Sequence, residues 1–318
     1  MGTFGVFRYN TPVIRTNKMN FLDVQYEPDR FLYAAIGDVH GDLGSLTAAV
    51  DIVRVRAAAK GRTAAVVLLG DLIDRGADSA GCAAFAMRLA RGLDPERLDV
   101  RVLLLRGDHE DALSHDAGTD SFSSDVVPCE WCERLAGLPP DDPERALARE
   151  FVAFAHDAPA AIRFSSGILC AHGGVPHADL LPRLVTAADL CAPECARDFL
   201  WCRVSDARRK FPNRSARDCE LGRDDILGFL GRLDQLPAAG GFPVSPVRLF
   251  VRGHDHARDG HASMSLGEGR GTVHTVTTFR DEEDDFFGPQ RATLLILPDD
   301  PASGEPEIVP VPEKKDCP

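Results

Sequence analysis

The sequence lacks any apolar run approaching the roughly 20 residues that span a bilayer. Its opening residues, MGTFGVFRYN, lack the charged-then-apolar pattern of a secretory signal. They also miss the myristoylation pattern, because position 6 is Val rather than Ser or Thr. Basic charge is short: 36 Lys and Arg stand against 49 Asp and Glu, a formal net charge of -13. Such a surface is a poor general binder of nucleic-acid backbones and of anionic membranes. There is no internal repeat. The cysteines number nine, so they do not pair off evenly. Cys170, in GILCAH, reads as a small buried hydrophobe. The pairs Cys129/Cys132 and Cys191/Cys195 have spacing that a zinc knot could use, against the plainer reading of reduced thiols. The expectation is a cytoplasmic protein with neither membrane nor nucleic acid as partner.

What is present suits a globular enzyme. Hydrophobic residues make up 44% and charged residues 27% of 318 positions, enough to build a core. Short apolar runs alternate with helical stretches. The runs are 31–36, 64–69, 100–105, 167–171, 247–251, 272–278 and 292–297; 44–59 and 79–91 fit crossover helices. This alternation predicts an α/β fold. Residues 1–30 read as an N-terminal extension and 298–318 as an acidic, Pro-rich tail, leaving 31–297 as a single domain. The polar stretch 114–142, with Pro128, Pro139 and Pro140, reads as an insertion or lid.

Five strand candidates run directly into polar residues of ligand type. Asp38 and His40 follow the first, Asp71, Asp74 and Arg75 the second, and Asp108, His109 and Glu110 the third. His172 follows 167–171, and His254 follows 247–251. Loops at the carboxyl ends of neighbouring parallel strands converge, so these groups are expected to meet. Asp38 and His40 are two apart, which points both to one side of an extended backbone. Glycines beside each ligand allow sharp turns and remove bulk. Carboxylates and imidazoles without a thiolate suit Mn, Fe, Zn or Ni with open water positions, manganese being the first expectation. A single Gly-Asp-x-His is an ordinary turn; five such motifs, each at a strand end, are not.

Together the motifs GDVHGD, GDLIDRG, GDHE, HGG and RGHD resemble those of the PPP family of serine/threonine phosphatases, within the calcineurin-like metallophosphoesterase superfamily. The similarity extends over about 31–297 and includes the lead into HGG and the loop NRSARD. It implies a central β-sandwich flanked by helices and two divalent metal ions. Asp38 and His40 match ligands of one metal and Asp71 the bridging carboxylate. Asp108, His172 and His254 match ligands of the second metal. A water activated between the cations would attack phosphorus directly. His109 matches the general acid and Asp74 the carboxylate that orients it. Arg75 and Arg214 match the residues that hold phosphate oxygens, with Arg217 an alternative to Arg214. Arg106 is read as a loop support. His115, His156, His177, His256, His261 and His274 are read as non-catalytic, His256 being the nearest to an exception.

The pattern departs from the family in three places. Asp108 replaces an Asn, which adds negative charge and removes a donor. The stretch Phe279 to Asp285 replaces SAPNY with a run of acids that would favour basic phosphopeptides. Arg203, in LWCRVSD, stands where the family has an acid. The expected activity is metal-dependent phosphomonoester hydrolysis, with a phosphorylated protein or peptide as substrate. The alternatives are a symmetrical diadenosine tetraphosphate hydrolase and a weakened phosphatase acting as a phospho-dependent binding module. The sequence names no regulatory subunit.

Overall fold

The structure is a computed structural model and describes residues 19–212, 219–267, 269–280 and 291–312. Two β-sheets pack face to face. One is five-stranded, in the order Glu307–Pro310, Thr293–Ile296, Phe31–Ile36, Thr63–Leu68, Val100–Leu104. The last three of these strands run parallel, and Thr293–Ile296 joins Phe31–Ile36 antiparallel. The other is six-stranded, in the order Phe21–Val24, Ala161–Phe164, Ile168–Ala171, Leu249–Arg252, Thr272–Val276, His261–Ser265. In it Ile168–Ala171, Leu249–Arg252 and Thr272–Val276 are mutually parallel.

The period-two alternation of the strands decides how the layers form. Tyr33, Ala35, Ala65 and Val67 of the first sheet face inward with Ile162, Phe164, Ile168, Cys170, Leu249 and Val251 of the second. The intervening residues Leu32, Ala34, Ile36, Val66 and Leu68 turn the other way, onto the helices Leu43–Ala59, Ser79–Ala90 and Pro143–His156. On the far side Leu169, Ala171, Phe250 and Val273 pack against Pro193–Trp201 and Arg223–Leu233. Both faces of the central strands are therefore covered, which is why those strands read as unbroken apolar runs instead of alternating ones. The result is the helix-flanked sandwich. The helices expected at 44–59 and 79–91 are Leu43–Ala59 and Ser79–Ala90, N-capped by Asp42 and Asp78.

Three segments carry more structure than their composition indicates. Phe21–Val24, within the expected extension 1–30, is an edge strand paired parallel to Ala161–Phe164. Tyr26 follows it into the inter-sheet core, stacks on Tyr33 at 4.2 Å, and donates its hydroxyl to the Pro298 carbonyl. Glu307–Pro310, in the expected tail, closes the other sheet. The stretch 114–142 holds a hairpin and the helix Glu130–Ala136, whose Trp131 is buried in the helix-side core. Truncating a tryptophan so buried costs about 3–5 kcal/mol, so this stretch is built into the core and is not a detachable lid. Among the described residues no helix is long and apolar enough to cross a membrane.

Candidate functional site

The strand ends of both sheets meet at one edge of the sandwich. Asp38, His40, Asp71 and Asp108 come from the five-stranded sheet, and His172 and His254 from the six-stranded one. The backbone of Asp38 bridges to Thr277 and joins the sheets there. All six side chains are buried. The ligand atoms of Asp71, Asp108, His172 and His254 lie within 4.8 Å of one another. So do those of Asp38, His40 and His256, and those of His40, Asp71 and His109. Asp71 stands between the groups, its Oδ2 3.6 Å from His40 Nε2 and 3.4 Å from His172 Nε2.

The backbone is held in unusual conformations to achieve this. Among the described residues, non-glycine positive φ occurs at His40 (44°), Asp71 (52°), Asp74 (67°), Arg75 (64°), Asp120 (50°) and His254 (65°), and all but Asp120 lie in the site loops. Strain of this kind persists where the surroundings over-determine it. Two glycines permit the close approach. A Cβ on Gly107 would come within 2.1 Å of Asp71 Oδ1, and one on Gly253 within 2.1 Å of Asp38 Oδ1.

The electrostatics of the site are frustrated. Burial, and then the charges of Asp108, Asp38 and Glu110, push the Asp71 carboxyl well above the usual carboxylate range. Burial also acts to raise Asp38, but hydrogen bonding to His256 and the charge of His172 outweigh it and bring it down to about 2. His40 is held well below its ordinary value by burial and by Arg75, and His254 is lowered by burial, so both rings favour the neutral form. His40 Nε2 and His254 Nε2 are buried and have no hydrogen-bond partner. On the opposite ring edge, His40 Nδ1 donates to the Ile73 carbonyl at 3.0 Å, and His172 Nδ1 to the Leu69 carbonyl at 3.0 Å. That pairing sets the tautomer and presents the Nε2 lone pairs to the cluster. Mutually repelling carboxylates, the unpartnered His40 Nε2 beside Asp71 and the His254 Nδ1 3.3 Å from Asp108 Oδ1 are a donor set that divalent cations satisfy. The residues present therefore fit the metals implied by the resemblance.

His109 Nδ1 pairs with Asp74 Oδ2 at 2.8 Å, and both groups are buried. The Trp131 N–H donates to Asp74 Oδ1 at 3.1 Å, and the Ser79 hydroxyl accepts from the Asp74 N–H at 2.9 Å. Arg75 lies at the exposed rim, its Nη1 3.2 Å from each ring nitrogen of His256. A cavity of about 190 Å³ beside the cluster is lined in part by Val204, Asp255, His256 and Thr275. Arg106 ion-pairs with Asp111 and donates to the His156 carbonyl and to Asn20, a loop support as expected. Arg214 and Arg217, and the acids Asp281 to Asp285, lie outside the described residues.

Three residues take roles in the site that the motifs did not assign. His256, taken as non-catalytic, places Nε2 3.5 Å from Asp38 Oδ2 and joins the Asp38 and His40 group. The signal was its i+2 spacing from His254, the same spacing that relates Asp38 and His40. Glu110 is buried and accepts from the backbone N–H groups of Asp71 (2.8 Å), Leu72 (2.8 Å) and Gly107 (2.9 Å), clamping two site loops together. Phe279 walls the cluster with its ring 5.1 Å from His40 and 5.0 Å from His256. The four cysteines considered for a zinc knot do not converge: Cys129 and Cys132 form a disulfide against the helices of the five-stranded sheet, whereas Cys191 and Cys195 belong to the opposite core.

Residues 31–258 match the family model of the calcineurin-like phosphoesterases. No curated protein matches the chain. Among solved structures, a protein serine/threonine phosphatase from Saccharomyces cerevisiae with similarity to human phosphatase PP5 superposes with a TM-score of 0.60 at 18% identity, over 94% of this chain and 86% of that one. A putative diadenosine tetraphosphatase gives 0.43 at 16% identity, over 92% and 98%. A cold-active protein tyrosine phosphatase gives 0.47 at 17% identity, over 85% and 76%.

Proposed function

This chain belongs to the calcineurin-like phosphoesterase family, and on that footing we propose that it is a two-metal phosphomonoesterase acting on phosphoserine and phosphothreonine in proteins. The observation that carries the reading is the buried gathering of Asp38, His40, Asp71, Asp108, His172 and His254, with the His40 Nε2 beside Asp71 left unpartnered. Asp38 and His40, assisted by His256, would hold one cation; Asp108, His172 and His254 would hold the other; Asp71 would be shared. Two divalent cations, manganese by expectation, would supply an acidified water as nucleophile and neutralise phosphate charge.

The remaining chemistry belongs to the side chains. Asp74 holds the His109 ring through Nδ1, so Nε2 is the atom that delivers a proton to the departing alkoxide oxygen. A serine or threonine alkoxide is a poor leaving group, and that proton removes its charge as the bond breaks. Arg75, at the rim beside His256, offers a planar fork to phosphate oxygens. Arg214 is proposed as the second such fork from its motif. The acidic run Asp281 to Asp285 follows Phe279 in the chain and would favour basic sequence around the phosphorylated residue.

The test is hydrolysis by protein stripped of metal and reloaded with manganese. The substrates are p-nitrophenyl phosphate, a basic phosphoserine peptide, an acidic one, and diadenosine tetraphosphate. The proposal expects metal-dependent cleavage, fastest on the basic peptide and abolished in Asp71→Asn. Preference for the dinucleotide would move the assignment to the tetraphosphate hydrolase. Peptide binding without turnover of any substrate would make the chain a binding module.

A further inference from the structure

Outside the strand-end cluster, one other group of ligand-type side chains converges among the described residues: His177, Cys202 and Cys219. His177 Nε2 lies 3.2 Å from Cys202 Sγ and 3.0 Å from Cys219 Sγ. Both thiols are buried in the core beneath the six-stranded sheet. The three residues come from separate segments. His177 follows the HGG turn, Cys202 caps the helix Pro193–Trp201, and Cys219 opens the strand Cys219–Leu221. That strand runs parallel to Arg203–Val204.

The imidazole nitrogen and the two sulfurs all lie within 4.8 Å of one another, a spacing that one cation can bridge. The other edge of the ring supports the same reading. His177 Nδ1 faces Asp198 Oδ2 and Asp179 Oδ1, each at 3.9 Å. Buried Asp198 is fixed there by the His177 backbone N–H at 2.9 Å. Carboxylates on that side favour the Nδ1–H tautomer and turn the Nε2 lone pair toward the sulfurs, as in carboxylate–histidine–zinc arrangements.

We propose that His177 Nε2, Cys202 Sγ and Cys219 Sγ bind a zinc ion at a structural site separate from the strand-end cluster. The donor set of two thiolates and an imidazole suits zinc, unlike the carboxylate-rich cluster. Binding releases the two thiol protons to solvent, and a water or a fourth donor completes the coordination. The site ties the end of one helix to the small sheet that carries Arg203. Arg203 in turn holds Asp255 and the His254 carbonyl. Cys219 also follows, in the chain, the segment with Arg214. Zinc here would brace the approach to the phosphate-handling side without touching substrate.

Metal-free protein loaded with cobalt(II) provides the test. Thiolate-to-cobalt charge transfer absorbs in the near ultraviolet, and the strand-end cluster has no thiolate to produce it. The proposal expects that band in the wild type and in Asp71→Asn, and its loss in Cys202→Ser and Cys219→Ser together with one bound zinc per chain. Cys195→Ser, buried in the same core, keeps both. Absence of the band from cobalt-saturated wild type overturns the proposal with no variant needing to fold. So does its survival in both serine variants, or a disulfide between Cys202 and Cys219. Loss of phosphatase activity plays no part in this readout, so the two proposals fail independently.

Discussion

Arg203 donates to Asp255 at 2.6 Å, and the other Asp255 oxygen accepts from Arg252 at 2.5 Å. Arg203 stands where the PPP pattern has an acid, and the acid that neutralises fully buried Arg252 is found instead beside His254. Burial works to raise the Asp255 carboxyl, but Arg252 and Arg203 outweigh it and hold it below the usual carboxylate range. The charge has been relocated without being lost.

Removing that acid should therefore be expensive. Asp255→Ala leaves the Arg252 guanidinium buried and uncompensated, and is expected to cost about 3–5 kcal/mol in urea unfolding. Arg203→Ala, at a half-buried position with other solvation open to it, should cost about 1 kcal/mol or less. The double change Arg203→Asp with Asp255→Gln should recover most of the loss. Equal costs for the two single variants would show that Asp255 does not serve Arg252 in this way.

His109→Asn should reduce kcat about 10²–10⁴-fold on a phosphoserine peptide. The loss should be much smaller on p-nitrophenyl phosphate, whose leaving group departs without a proton. Asp74→Asn should follow the same order with smaller factors, because it misorients the ring without deleting it. Equal losses on both substrates would remove His109 from the role of proton donor.

Glu110 hydrogen-bonds the backbone of Asp71 and Gly107 with its carboxylate and so positions the site loops. Glu110→Gln replaces an acceptor oxygen with a donor against a buried N–H. It should destabilise the protein by about 1–3 kcal/mol and weaken manganese binding, with kcat partly restored by excess metal. Full activity at limiting manganese would show that the loops hold their shape unaided.

Asp108→Asn removes one of the three carboxylates, with Asp38 and Asp71, that would face the two proposed cations. The first-shell balance rises from about +1 to about +2, which should raise turnover of a phosphomonoester at saturating manganese while loosening metal affinity. Both can be read from one set of metal-titrated kinetic curves. Unchanged or reduced turnover at saturation would mean that the Asp108 charge is not what limits this site.

Asp38, Asp71, His172 and His254 were legible because each follows an apolar run that is a buried central strand, and Asp108 because it follows the apolar run that pairs with one of them at the sheet edge. Phe21–Val24 was not, since a short edge strand is defined by its partner Ala161–Phe164, far away in the chain. Trp131 shows the same limit: its surroundings read as a polar insertion, and its burial depends on helices from elsewhere. Glu110 acts through backbone N–H groups, which leave no mark on composition. Arg203 and Asp255 are 52 residues apart, and each looks anomalous until the other is placed. His177, Cys202 and Cys219 share no spacing at all, whereas the Cys129/Cys132 and Cys191/Cys195 spacings, which looked suited to metal, lead into opposite cores.

The ligand cluster takes its carboxylates from one sheet and most of its imidazoles from the other. Neither half of the sandwich holds a complete coordination shell, so an ion seated between them acts as a rivet through two plates. Loading and docking would then be one event: with its sheets slipped apart the chain would lose the proposed metal, and without that metal it would lose a fastener along with a reagent.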